Sequence, residues 1–124
     1  MSNAEMTKHP YDLEERTAIF GEEIIKFCKQ IPRNPITDPL IIQLTKSGTS
    51  VGANYCEADD AESKKDFCHK IGICKKEARE SKHWLRMIVT AVPILAPQAR
   101  VLWQEAKELN LIFNKIVKTS RLNS

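Results

Sequence analysis

The chain has 124 residues, 42% of them apolar, and a formal net charge of +3. That length suits one domain around a single core and is too short for two. The longest apolar stretch, Val89 to Ala96 broken by Thr90 and Pro93, is far too short to span a bilayer, and the polar first residues lack the apolar run of a secretory signal, so a cytoplasmic protein with no membrane contact is expected.

Residues 1–11 are expected to form a disordered tail, its MSNA start being native or a partial tag remnant. Helix one is predicted over about 12–31, because Leu13, Thr17, Phe20, Ile24, Phe27 and Ile31 repeat at four and three steps before Pro32 and Pro35. Helix two is predicted over 38–60, with Asp38 as the acceptor cap, Pro39 at the first helical position, and Leu40, Leu44, Ser47, Val51, Asn54 and Ala58 along its seam. Helix three, over 64–92, carries the seam Phe67, Ile71, Cys74, Ala78, Ser81, Leu85, Ile88 and Val92, and Ser63 followed by Asp66 is a capping-box start. Helix four, over 98–119, repeats the spacing with Leu102, Ala106, Leu109, Phe113 and Ile116. Four such helices with short connections predict one domain over 12–119, all-α, an antiparallel up-down-up-down left-handed four-helix bundle.

Four cysteines, Cys28, Cys56, Cys68 and Cys74, lack C-x-x-C spacing and fall in predicted helices, so they are expected to fill core space rather than form disulfides. Glu80 and His83 have the Glu-x-x-His spacing of di-metal bundles, yet no second such pair occurs, so no metal site, cofactor or catalytic residue is expected. Gly48 and Gly52 share a face of helix two and each costs on the order of 1 kcal/mol of helix propensity relative to alanine. A close approach by a neighbouring helix or chain would offset that cost.

Charge is uneven. Between Ser63 and Ile88 there are eight Lys and Arg against three Asp and Glu, giving that helix +5 and the rest −2. At 100° per residue, Lys64, Lys75, Arg79, Lys82 and Arg86 fall on one flank of helix three, and Ile73, Glu77, Glu80 and Trp84 fall on the other. The basic flank is a candidate nucleic-acid surface, with a merely solvated face as the plain alternative. Ile73 and Trp84, beside the seam rather than on it, are candidate subunit-interface residues together with the Gly48/Gly52 face.

The segments KSGTSVGANYCEAD on helix two and SKKDFCHKIGICKKEARESKHWLRMI on helix three resemble the small four-helix bundle family encoded in intervening sequences of bacterial 23S ribosomal RNA. The resemblance implies a cytoplasmic bundle that assembles as a ring, typically a homopentamer. A related branch, the accessory variability determinants of diversity-generating retroelements, is similar to a basic pentamer that binds nucleic acid and a reverse transcriptase. Asn54 and Glu57 match the family's A-N-x-x-E-A motif, and Glu77, Arg79 and Glu80 match its E-A-R-E segment. In the helical layout Asn54 and Glu57 also face helix three, so a polar network between helices two and three, joining them to Glu77, Arg79 or Glu80, is expected.

The function read from the chain is a non-enzymatic homo-oligomeric, RNA-associated accessory protein acting through the basic stripe. The alternative is a scaffold or adaptor ring for a partner protein, for example a reverse transcriptase, with no direct nucleic-acid binding.

Overall fold

The computed structural model describes residues 12–122, and the expected tail over 1–11 lies outside the described residues. Four long helices and no strand occur among the described residues: α1 (Leu13–Cys28), α2 (Thr37–Asp59), α3 (Lys64–Ala91) and α4 (Ala96–Leu122), with a 3-10 turn at Pro93–Leu95 before α4. α2 packs on α1 and α3, α3 packs on α4, and a thinner contact returns α4 to α1.

Local chemistry sets the helix ends. Asp12 accepts from the Glu15 amide at 3.2 Å and starts α1. Ser63 accepts from the Asp66 amide at 3.0 Å and starts α3, as the capping-box spacing predicts. The start of α2 differs from expectation. It begins at Thr37, where Asn34 Oδ1 accepts from the amides of Ile36 and Thr37, each at 2.9 Å, and the Thr37 hydroxyl accepts from the Asn34 amide at 3.0 Å. This reciprocal pair satisfies the orphan donors one residue ahead of Asp38, whose carboxylate instead pairs with Arg33 at 3.1 Å. α1 ends at Cys28, three residues before the expected end, although Ile31 still reaches the core.

Most seam residues form the core; Leu40, Phe67 and Val92 near helix ends and the polar Asn54 are only half-buried, and on α4 the seam steps from Phe113 to Val117, leaving Ile116 half-buried. Leu13, Thr17, Phe20, Ile24, Phe27 and Ile31 are buried, as are Ile71, Cys74, Ala78, Ser81, Leu85 and Ile88 on α3 and Leu102, Ala106, Leu109 and Phe113 on α4. Small residues bring α2 against α3: the hydroxyls of Ser47 and Ser81 meet at 2.9 Å, and the Cys74 thiol donates to the Val51 carbonyl at 3.5 Å. Ser47 and Ser81 also have carbonyl acceptors on their own helices, Leu44 and Glu77, so the buried pair is satisfied.

The α1–α4 contact is held by Arg16 and Glu105. The guanidinium donates through Nε and Nη2 to the two carboxylate oxygens, both at 2.8 Å, and the two side chains are only 12% and 13% exposed. The Glu105 hydrogen bonds, against the opposing effect of burial, raise the already high Arg16 pKa further.

Candidate nucleic-acid interface

α3 lies between α2 and α4, so its two flanks meet different neighbours. The basic flank turns to α4. Lys82 Nζ stands 5.1 Å from the centroid of the Trp103 ring, and Asn110 Nδ2 donates to the Lys75 carbonyl at 2.8 Å. That register places Arg79 level with Lys107 and Arg86 level with Arg100. Lys107 Nζ lies 5.7 Å from the same Trp103 ring, and Arg86 and Arg100 line one groove of about 480 Å³ between α3 and α4.

Arg79, Arg86, Arg100 and Lys107 are exposed, whereas Lys75 and Lys82 are half-buried with their stems along the bundle. Lys64 is exposed at the first residue of α3, far from this cluster at the other end of the helix. From Lys75 to Arg86 the stripe runs roughly 16 Å at the α-helical rise. Within that length α4 adds two further cations and an indole face. The α4 half is absent from the sequence reading, yet Arg100, Trp103 and Lys107 repeat at three and four steps immediately beside the seam of helix four. That spacing was the available signal.

The other flank of α3 turns to α2. Trp84 is half-buried against the core and meets the His83 ring edge-on at 4.9 Å, and Ile73 is also half-buried. The Glu77 side chain is 14% exposed, and burial, then the charge of Glu80, raises its carboxyl pKa against the opposing pull of Lys76 and Lys46. Glu80 itself is exposed.

The expected polar network is not assembled by the described contacts. Asn54 Nδ2 donates to the Ser50 carbonyl of its own helix at 2.9 Å, and Glu57 accepts from Lys70 at 3.1 Å. Register is the physical reason. The short connection over 60–63 sets Glu57 against Lys70, Val51 against Cys74 and Ser47 against Ser81, so Asn54 stands near the level of Ile73, more than a turn from Arg79. Both glycines face α1 of the same chain. A Cβ on Gly48 would lie 2.8 Å from two Ile24 carbons, and one on Gly52 would lie 3.3 Å from the Thr17 carbonyl and hydroxyl oxygens. The intrachain contact accounts for the close approach without a second chain.

Of the cysteines, Cys28 and Cys74 are buried, Cys68 is half-buried and Cys56 is exposed, so Cys56 departs from the expected core role. Burial pushes the Cys74 thiol up to about 12, which keeps it protonated at neutral pH. Among the described residues, no group of three or more His, Cys, Asp or Glu is placed to hold a metal, and no helix is long and apolar enough to cross a membrane.

The sequence model of the 23S rRNA-intervening sequence protein family matches residues 12–115, which take in α1 to α3 and most of α4. The chain belongs to that family. The chain is similar to a solved structure described as a protein of unknown function from the S23 ribosomal protein family of Bacteroides thetaiotaomicron. The match has a TM-score of 0.74 and 28% identity, over 85% of this chain and 97% of that one. No curated protein matches the chain. In this member of the 23S rRNA-intervening sequence protein family, the α3/α4 face is where cations from two helices and an accessible aromatic ring converge.

Proposed function

We propose that the chain is a non-enzymatic, cytoplasmic, RNA-associated accessory protein that binds phosphate backbones through its α3/α4 face. One observation carries this reading: Lys82 on α3 and Lys107 on α4 stand over the Trp103 ring, Arg86 and Arg100 line the groove beside it, and Lys75 and Arg79 continue the α3 side of the same face. A single solvated lysine stripe is ordinary, whereas cations gathered from two helices beside an indole match what a nucleic-acid strand requires.

Self-association belongs to the same reading. A single bundle presents few phosphate contacts, and a ring of copies, a homopentamer by the family resemblance, repeats the face around an axis. The half-buried Ile73 and Trp84 on the opposite flank suit the subunit contact. The antiparallel up-down-up-down arrangement is supported by contacts in which residue numbers fall on one helix as they rise on the next: Thr17 with Gly52 and Ile24 with Gly48, Val51 with Cys74 and Ser47 with Ser81, then Lys75 with Asn110 and Lys82 with Trp103; left-handed packing is part of the same proposal.

The test is light scattering of the purified protein combined with its affinity for a structured RNA across a salt series. A closed oligomer whose affinity falls steeply and log-linearly with salt is expected. A monomer at micromolar concentration contradicts the ring. A salt-independent or absent affinity contradicts RNA association and favours the protein-scaffold alternative.

A further inference from the structure

We propose that the groove between α3 and α4 receives one unpaired nucleotide of an RNA strand, its base stacked on Trp103 and its flanking phosphates held by Arg86 and Arg100. This rests on the RNA-binding reading above and narrows it from a charged face to a subsite with a preferred form of RNA.

The groove has about 480 Å³ of space, with Leu85, Val89, Ala96 and Ala99 supplying apolar wall and Arg86 and Arg100 supplying charge. Its described lining includes no carboxylate. An apolar slot between two guanidiniums matches a nucleotide, which presents a flat, weakly polar ring between two anionic groups. Trp103 is half-buried against the core, so its indole is held in place by packing while part of it stays accessible. Lys82 and Lys107 stand at 5.1 and 5.7 Å from its centroid in the free protein. Both are on flexible stems, and an entering base displaces the ammoniums from the ring towards the phosphates, exchanging two weak cation–π contacts for stacking and charge-assisted hydrogen bonds.

The geometry also selects the form of RNA. In an A-form duplex the bases are stacked on each other and the deep major groove excludes side chains, so a base reaches Trp103 only from a loop, bulge or single strand. Every base has a π face, so stacking here confers little sequence preference.

The chain has two tryptophans, so Trp84→Phe leaves Trp103 as the only one and Trp103→Ala leaves Trp84. Each variant is titrated with a uridine decanucleotide, a paired RNA duplex of equal length, and an aromatic-rich neutral peptide, following tryptophan emission and affinity, with oligomer size checked in parallel. The expected result is quenching of Trp84→Phe by the single strand but little by the duplex. Trp103→Ala loses about tenfold in single-strand affinity, keeps its duplex affinity and its salt slope, and is largely rescued as Trp103→Phe. Salt-dependent RNA binding without quenching of Trp103, or an equal loss on both RNAs in Trp103→Ala, overturns the subsite while leaving the backbone-binding reading intact. Quenching by the peptide and not by RNA assigns the groove to a protein partner and also overturns it. No RNA binding of any kind removes the subsite and the reading beneath it together.

Discussion

Replacing Arg16 by methionine is expected to destabilise the folded chain by on the order of 3 kcal/mol, the scale found when one partner of a buried ion pair is removed. Arg16 and Glu105 are 12% and 13% exposed and form a two-pronged contact at 2.8 Å, so the loss leaves the Glu105 carboxylate largely out of water and without the guanidinium that pairs it. The position matters because α1 and α4 share the thinnest of the principal helix contacts. The double substitution Arg16→Met with Glu105→Leu should recover most of the stability, because it removes the stranded charge along with its partner. Urea unfolding at fixed protein concentration measures both, the fixed concentration keeping any self-association from altering the comparison. A loss below about 1 kcal/mol for Arg16→Met would place the pair with ordinary surface ion pairs.

Gly48→Ala should destabilise, although alanine is the better helix former by about 1 kcal/mol. The new Cβ would sit 2.8 Å from Ile24 Cγ1 and Cγ2 and 3.1 Å from its Cβ. Those atoms lie at the root of a β-branched side chain whose rotamer is fixed in a helix, so they cannot swing aside and α1 must shift. Overpacking of this kind costs about 1–3 kcal/mol, which exceeds the propensity gain. Gly48→Leu should sit at or beyond the upper end of that range. Gly72 supplies the contrast, since nothing lies within 4 Å of a Cβ built there, and Gly72→Ala should stabilise by up to about 1 kcal/mol. In an Ile24→Ala background the two contacts at 2.8 Å disappear and only the 3.1 Å approach to Cβ remains, so Gly48→Ala should cost much less. An unchanged loss in that background would mean that the glycine serves something other than the α1 contact.

The parts of the fold legible in the sequence were those set by period and by local side-chain chemistry. Ile71, Cys74, Ala78, Ser81, Leu85 and Ile88 are buried because one seam of α3 faces the core, and Ser63 caps that helix because its hydroxyl reaches the Asp66 amide. The start of α2 was misplaced because Asp38-Pro39 is a strong local signal that the Asn34–Thr37 turn overrides one residue earlier. Relative helix register was not legible. The Asn54 network was expected from angular facing alone, and the axial offset set by the 60–63 connection turns the Asn54 amide back to Ser50 and gives Glu57 to Lys70. The basic face was half visible for the same reason. Its α3 side follows from angles on one helix, whereas the addition of Arg100, Trp103 and Lys107 depends on how α4 lies against α3.

The most direct test of an RNA-binding α3/α4 face is a salt series on the wild type and on the variant with Lys75, Arg79, Lys82 and Arg86 all changed to glutamine, at matched oligomer size. Each neutralised phosphate contributes roughly 0.7 to the slope of log affinity against log salt on a single strand, so the variant should lose about 3 from that slope per subunit that contacts RNA. The loss should be similar across RNA sequences, because backbone contacts carry little base information. Equal slopes for the two proteins would contradict the RNA-binding face and leave a protein partner as the better account of this surface.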